Sequence, residues 1–208
     1  MLKSIVSLLT LASVAFAAPS ASLEKRLEFS GPHPPGFNIT SFGILGTGCP
    51  PGTTYYSLNA NKTDTMVTFN EFFSEAGPGI SASKNRKACQ LTFGVNVPAG
   101  FTFGVATVDY RGYYQLDSKV TASQQSIYYF QGQVVQATAR STLTGPVDGN
   151  YYTFRDAFDL AHTVTSPCGS DTVFNINSDI RVSNSANTKA SGYFFMDSIL
   201  VGVSGLLH

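Results

Sequence analysis

The sequence predicts an all-β domain, an antiparallel β-sandwich with a partly closed β-barrel as the alternative, and little helix apart from the amino-terminal signal segment. Three observations carry this reading. Apolar and polar residues alternate with period two, as in CQLTFGVNV (89–97), where Cys89, Leu91, Phe93, Val95 and Val97 interleave with Gln90, Thr92, Gly94 and Asn96. One face of such a segment meets a core and the other meets water. Turn material rich in Gly, Pro, Ser and Asn recurs between these runs, in SEAGPGISASKNR, TGPVDGN and SPCGS. No window of a dozen residues keeps an i, i+3, i+4, i+7 apolar pattern with capping signals. Eight to ten short strands with spaced turns fit two packed antiparallel sheets.

From the amino terminus, Lys3 supplies a positive charge, Ile5 to Phe16 form a short apolar run, and Ala15-Phe16-Ala17 presents small residues to a signal peptidase. The run is shorter than the roughly 20 residues of a membrane span, so residues 1–17 read as a cleaved signal peptide ending at Ala17. Residues 18–26 read as a pro-segment, because the dibasic Lys25-Arg26 lies in a polar, unstructured stretch that a processing protease can thread. An irregular lead-in, LEFSGPHPPGFN (27–38), precedes a single secreted β domain over 39–208. Within it TTYYSL and TMVTFN flank the turn-rich NANKTD. Pro98-Ala99-Gly100 turns the chain from 89–97 into a second strand through Phe101, Phe103 and Val105, a hairpin by the simplest reading. QQSIYYFQGQVVQATA is a long strand with a break at Gly132, and NYYTFRDAFDLAHTV, DTVFNINSDIRVSNS and ASGYFFMDS complete the set. Asp148-Gly149 reads as a turn between strands, having too few oxygen ligands for calcium.

The chain carries 13 basic and 13 acidic residues; loss of residues 1–26 leaves 10 and 12, a formal charge of about −2. No basic patch remains to displace counterions from nucleic acid, which excludes that partner. An extracellular location follows from the leader, and the sequons at Asn38 and Asn61 lie in polar, turn-rich surroundings where glycans fit. Cys49, Cys89 and Cys168 are an odd set, so an oxidising compartment forces one disulfide and one leftover thiol, unless Cys49 pairs with a second chain.

Chemistry is sparse. His33, His162 and His208 share no metal-site spacing, no G-x-S-x-G elbow exists, and neither metal nor cofactor is expected. Two carboxylates from separate strands could hydrolyse a glycoside, with Glu71, Glu75, Asp109, Asp117, Asp156 and Asp159 as the candidates. The tyrosines, above all Tyr110, Tyr113, Tyr114, Tyr128 and Tyr129, could form a ligand surface. Strands favour tyrosine anyway, and the chain has no Trp for sugar stacking. In VDYRGY, Asp109 and Arg111 share a parity with Phe101, Phe103 and Val105. If that face is buried both charges must be paired, with each other or with a neighbouring strand, so they read as a structural pair.

Eight fragments stand in order: GTGCPPGT (46–53), GPG (77–79), RKACQL (86–91), VDYRGY (108–113), TASQQSIYYFQGQ (121–133), GPVDGNY (145–151), SPCGS (166–170) and NINSDIRVSNS (175–185). Over residues 40–198 the chain resembles the fungal secreted proteins of the domain-of-unknown-function 4360 family. The resemblance implies an extracellular β-rich domain with no established catalytic residues, and it matches the cysteine positions. Cys89 with Cys168 is the pairing expected, closing a loop of about 80 residues for a gain on the order of 4 kcal/mol, with Cys49 left unpaired or joining a disulfide-linked dimer of an otherwise monomeric protein. The resulting expectation is a non-catalytic extracellular protein, effector-like or glycan-contacting, whose partner is a cell-wall or host glycan or protein; the alternative is a two-carboxylate glycoside hydrolase.

Overall fold

Alternation with period two becomes eleven strands among the residues that the computed structural model describes, 36–60, 64–157 and 164–207. The expected signal peptide over 1–17 with Ala17, the expected pro-segment over 18–26 with Lys25 and Arg26, most of the lead-in, Asn61, Asp159, and His33, His162 and His208 lie outside the described residues. The strands are β1 (Asn38–Leu45), β2 (Thr54–Leu58), β3 (Thr65–Phe69), β4 (Phe73–Ala76), β5 (Arg86–Asn96), β6 (Phe101–Leu116), β7 (Thr121–Phe130), β8 (Gln136–Thr144), β9 (Val147–Ala157), β10 (Thr172–Ser183) and β11 (Gly192–Leu207). One 3-10 turn, Ala82–Lys84, is the only helical element among the described residues.

Two antiparallel sheets result. The first orders β1-β5-β10-β7-β8; the second orders β2-β3-β11-β6-β9, with β4 also paired to β11. Neither sheet closes on itself, so the molecule is a β-sandwich and not a barrel. Leu91, Phe130, Phe174, Ile176 and Ile180 of the first sheet and Val108, Phe194, Met196 and Ile199 of the second are fully buried between the layers. Phe103 meets Phe130 and Phe174 edge-on, with centroids 5.6 and 6.1 Å away, and Phe37 stacks on Phe103 at 5.0 Å. Such ring pairs contribute about 0.5–1.5 kcal/mol each beyond the area they bury.

The expected hairpin of 89–97 with 101–105 does not form. Both long strands have their two edges occupied, β5 by β1 and β10, and β6 by β11 and β9. Pro98-Ala99-Gly100 instead carries the chain from one sheet to the other, with Gly100 at φ 81° and Phe101 N donating to Pro98 O at 3.2 Å. Alternation reports which face is apolar but not whether two apolar faces lie side by side or opposite each other. Asp148-Gly149 also lies elsewhere than expected: it sits inside β9, with Gly149 at φ 80°, and the turn falls at Gly145-Pro146, a cis bond.

The parity inferred across VDYRGY is reversed by a bulge. Against β11 the register passes from Thr107↔Gly202 to Val105↔Val203, which leaves Ala106 unpaired. Phe103 and Val105 point inward before it; Val108, Tyr110, Gly112, Tyr114 and Leu116 do so after it. Asp109 and Arg111 therefore belong to the outer face, as one extra residue inverts every following side chain. Gly112 is required where it stands, since a Cβ there would overlap the Phe195 carbonyl oxygen and press on Tyr152.

The cysteine pairing also differs from expectation. Cys49 is bonded to Cys89, with Cα atoms 5.6 Å apart, and Cys168 is an exposed free thiol. Cys89 stands opposite Ser178, whereas Val95 stands opposite Thr172. Cys168 precedes Thr172 and sits where Gly169 N bonds Phe101 O, at the far end of β5. Six residues of strand, about 20 Å, separate the two positions, and a disulfide tolerates Cα atoms no more than about 7 Å apart. Cys49 is thus neither unpaired nor available to join a dimer.

Candidate functional site

The outer face of the second sheet gathers aromatic side chains through register. Phe73 of β4 pairs with Phe195 of β11, Phe195 with Tyr113 of β6, and Tyr113 with Tyr151 of β9. Residues directly opposite on adjacent strands share a face, so four rings form one row across four strands. The inward neighbours of that row, Ser74, Phe194 and Tyr152, are buried in the core, which fixes the outward direction of the rings. Tyr113 and Tyr151 meet edge-on at 5.5 Å, and Tyr151 at the edge strand is 77% exposed. Gly149 leaves room for the Tyr113 hydroxyl, which a Cβ would overlap.

A polar row runs beside it, Glu75 on β4, Tyr193 on β11 and Gln115 on β6. Phe73 and Tyr193 connect the two rows at 5.5 Å. The polar row opens into a cleft of about 290 Å³ completed by Pro78, Ile80, Asp117 and Ser191. Lys84 Nζ lies 2.9 Å from Glu75 Oε1, and Asp117 Oδ2 accepts a hydrogen bond from Ser191 N at 2.7 Å. Burial, then the Glu75 carboxylate, raises the Tyr193 phenol above its ordinary value.

Few of the residues singled out in the sequence converge here. Tyr110, Tyr114 and Tyr128 are core residues and form no ligand surface. The Tyr110 and Tyr128 hydroxyls bond each other across the sandwich, and Tyr128 donates to Asp156 Oδ2. Burial raises both phenols and the Asp156 carboxyl, the Tyr128 hydrogen bond opposing the shift at Asp156. Tyr129 lies on the outer face of the other sheet, opposite Asn175, so of the five only Tyr113 lines the aromatic row. Asn38 opens the edge strand β1, half-buried opposite Asn96.

The structural charge pair is Asp109–Arg155 and not Asp109–Arg111. Arg155 stands directly opposite Asp109 on β9 and holds it bidentately, Nε to Oδ1 and Nη2 to Oδ2, both at 2.6 Å. The guanidinium hydrogen bond holds the Asp109 carboxyl below its ordinary value against the effect of burial, and the charges of Arg155 and then Arg111 add to it. Arg111, two residues along the same strand, is exposed. Of the candidate acids among the described residues, Glu75 and Asp117 line one cleft.

Phe73, Phe195, Tyr193 and Gln115 went unnoticed in the sequence because no linear spacing links them; only the pairing of β4, β11 and β6 does. For Phe73, Tyr193 and Phe195 the signal that could have found them is the outward parity of FSEA (73–76), which Gly77 ends, and of GYFF (192–195), which follows Ser191.

A family described as "Domain of unknown function (DUF4360)" matches residues 35–208. The chain belongs to the DUF4360 family. A further relative, an uncharacterized secreted protein of Arthroderma benhamiae, is 34% identical over 199 residues, covering 92% of this chain and 80% of that protein. This DUF4360 domain is secreted and extracellular, as the relative and the intrachain disulfide agree. No helix among the described residues is long and apolar enough to cross a membrane. Solved structures align weakly. TmCBM61 in complex with β-1,4-galactotriose has a TM-score of 0.32 at 10% identity, covering 82% of this chain and 91% of that one. A family 11 carbohydrate-binding module from Clostridium thermocellum has a TM-score of 0.25 at 11% identity, covering 80% and 95%. Likeness of this degree assigns the DUF4360 domain no ligand. Three segments that carry its family resemblance do meet on the aromatic face: GPG supplies Pro78, VDYRGY supplies Tyr113, and GPVDGNY supplies Tyr151.

Proposed function

We propose that this protein is a non-catalytic glycan-contacting domain, delivered by its signal peptide to the fungal cell wall or the host or substrate interface, with glycans of its own at Asn38 and Asn61. The observation that carries the reading is the row Phe73–Phe195–Tyr113–Tyr151 beside a cleft lined by Glu75, Gln115, Asp117 and Tyr193. Ring faces bind the apolar face of a pyranose, and carboxylate, amide and phenol groups at the margin take its hydroxyls. Retention on insoluble wall polysaccharides, chitin, β-1,3-glucan and cellulose, tests it. The intact protein binds at least one polymer, and Tyr151→Ala weakens that binding roughly five- to tenfold, the loss of one ring contact, with unchanged thermal unfolding. No retention on any polymer, or retention indifferent to Tyr151→Ala and Phe73→Ala, rejects the reading.

Glu75 and Asp117 in one cleft favour a second reading, a glycoside hydrolase in which one carboxyl protonates the leaving oxygen and the other attacks or activates water. Both carboxylates are engaged as acceptors, by Lys84 and by the Ser191 amide, so this reading ranks second. It requires release of reducing ends from a wall polysaccharide, abolished by Glu75→Gln and by Asp117→Asn. A turnover that survives either change excludes these two acids.

A further inference from the structure

The opposite face of the sandwich carries a basic pocket. On the outer side of the first sheet, β7 is flanked by β10 and β8, and the outward residues form rows: Arg181–Ser123–Thr142, and beside it Asp179–Gln125–Arg140. Arg181 and Arg140 thus stand on either side of β7, two strand spacings apart, about 10 Å, and one row out of step. Both guanidinium stems are long enough to lean over Ser123. With Thr121, Ser123, Thr142 and Ser183 they line a shallow pocket of about 220 Å³. Two arginines and four hydroxyls make up the whole lining; it contains no carboxylate and no aromatic ring.

The positive charge there is uncompensated. Lys84, Arg86 and Arg155 each hold an acid, Glu75, Asp179 and Asp109. Among the described residues neither Arg140 nor Arg181 makes an ion pair or a side-chain hydrogen bond, and both are exposed. Asp179 shares a row with Arg140, but its Oδ2 is taken by Arg86 Nε from the β5 side. Three arginines therefore surround one carboxylate on this part of the sheet. The backbone N–H groups of β7 and β10 beneath are used by ladders on both sides, so an anion over β7 is held by the side chains.

We infer that this pocket binds an acidic glycan, with the carboxylate of a uronate unit between Arg140 and Arg181. A planar guanidinium matches a carboxylate with two parallel hydrogen bonds, and a hydroxyl can both donate to and accept from the ring hydroxyls that flank the carboxylate on a sugar. The pocket is open, so the unit can belong to a chain that runs across the sheet. This site stands on the other sheet from the aromatic row and does not depend on it.

Titration of the purified secreted protein with a short oligogalacturonate, with its methyl-esterified counterpart and with inorganic phosphate, all at one ionic strength, tests the assignment. The acid form binds, esterification removes the binding, and Arg140→Gln and Arg181→Gln each weaken it about tenfold or more, the loss of one charged hydrogen-bonded contact. Tyr151→Ala leaves it unchanged. Both arginines are exposed, so neither change removes a core contact, and unaltered thermal unfolding verifies that. Equal binding of the acid and its ester, indifference to both arginine changes, or loss through Tyr151→Ala alone overturns the inference. Competition by inorganic phosphate at equal concentration shows a general anion patch and overturns the uronate assignment.

Discussion

Replacing Cys89 with Ala lowers the stability of the oxidised protein by about 4 kcal/mol, while replacing Cys168 with Ser changes it by less than about 0.5 kcal/mol. The first figure is the chain-entropy gain of a disulfide that closes a loop of some forty residues; Cys49 and Cys89 are 40 apart in sequence. Cys49 and Cys89 are both buried against the core, so the variant also leaves a lone thiol and a small void there. The second figure is the ordinary effect of a surface substitution, because Cys168 is exposed and unbonded. For a domain of this size 4 kcal/mol corresponds to a fall in Tm of roughly 10 °C. Thermal unfolding of the two variants beside the parent, without reductant, decides between the two connectivities. A Cys89–Cys168 bond would make both changes equally costly, and a dimer through Cys49 would appear as a doubled mass on a non-reducing gel.

The bond also shows how far sequence reasoning carries. That one disulfide forms followed from location and an odd cysteine count. Which one forms depended on register: β5 brings Cys89 beside the loop at Gly48, whose N–H bonds Ala88 O, and places Cys168 at the opposite end of the strand. The strands themselves were legible because each keeps one apolar face in period two. Their partners were not, since 89–97 and 101–105 could have paired and instead lie in different sheets. The bulge at Ala106 moved Asp109 and Arg111 from the inner to the outer face, an offset that a period-two count cannot contain. The aromatic row failed to appear for the same reason: Phe73, Phe195, Tyr113 and Tyr151 become neighbours only when β4, β11, β6 and β9 are in register. Tyrosines taken singly do not show which of them face water: Tyr110 and Tyr128 lie in the core with their hydroxyls bonded to each other between the layers.

Two carboxyls give the fold a pH profile with opposed arms. Asp156 is raised by burial, so the folded protein takes up its proton at a pH where the unfolded chain is still ionised. Stability therefore increases as the pH falls from neutral through the folded value toward the unfolded one. Asp109 is lowered, chiefly by the Arg155 hydrogen bond. Its contribution is complete above the unfolded value of about 4 and disappears as the pH falls further through the depressed folded value. The two effects place the contribution of this pair of sites at its greatest in the weakly acidic range, near pH 4 to 5. Asp156→Asn removes the upper arm: the amide oxygen still accepts from Tyr128, no charge is buried, and the variant is at least as stable as the parent at pH 7, with the advantage shrinking toward pH 5. Arg155→Gln strips the bidentate partner from Asp109, whose side chain is 5% exposed. A fully buried ion pair loses about 3–5 kcal/mol in this way. Arg155 itself is 52% exposed, which reduces the loss to about 2 kcal/mol at pH 7. The loss diminishes below pH 4, where a protonated Asp109 no longer needs a cation. Arg111→Ala, an exposed change on the same strand, costs less than about 0.5 kcal/mol at any pH. Urea unfolding of the three variants and the parent between pH 3 and 7 reads all of this as differences at a common pH, in which other titrating groups cancel. A cost for Arg155→Gln that is the same at both ends of that range, or a larger cost for Arg111→Ala, would show that Asp109 draws its support from elsewhere on the sheet.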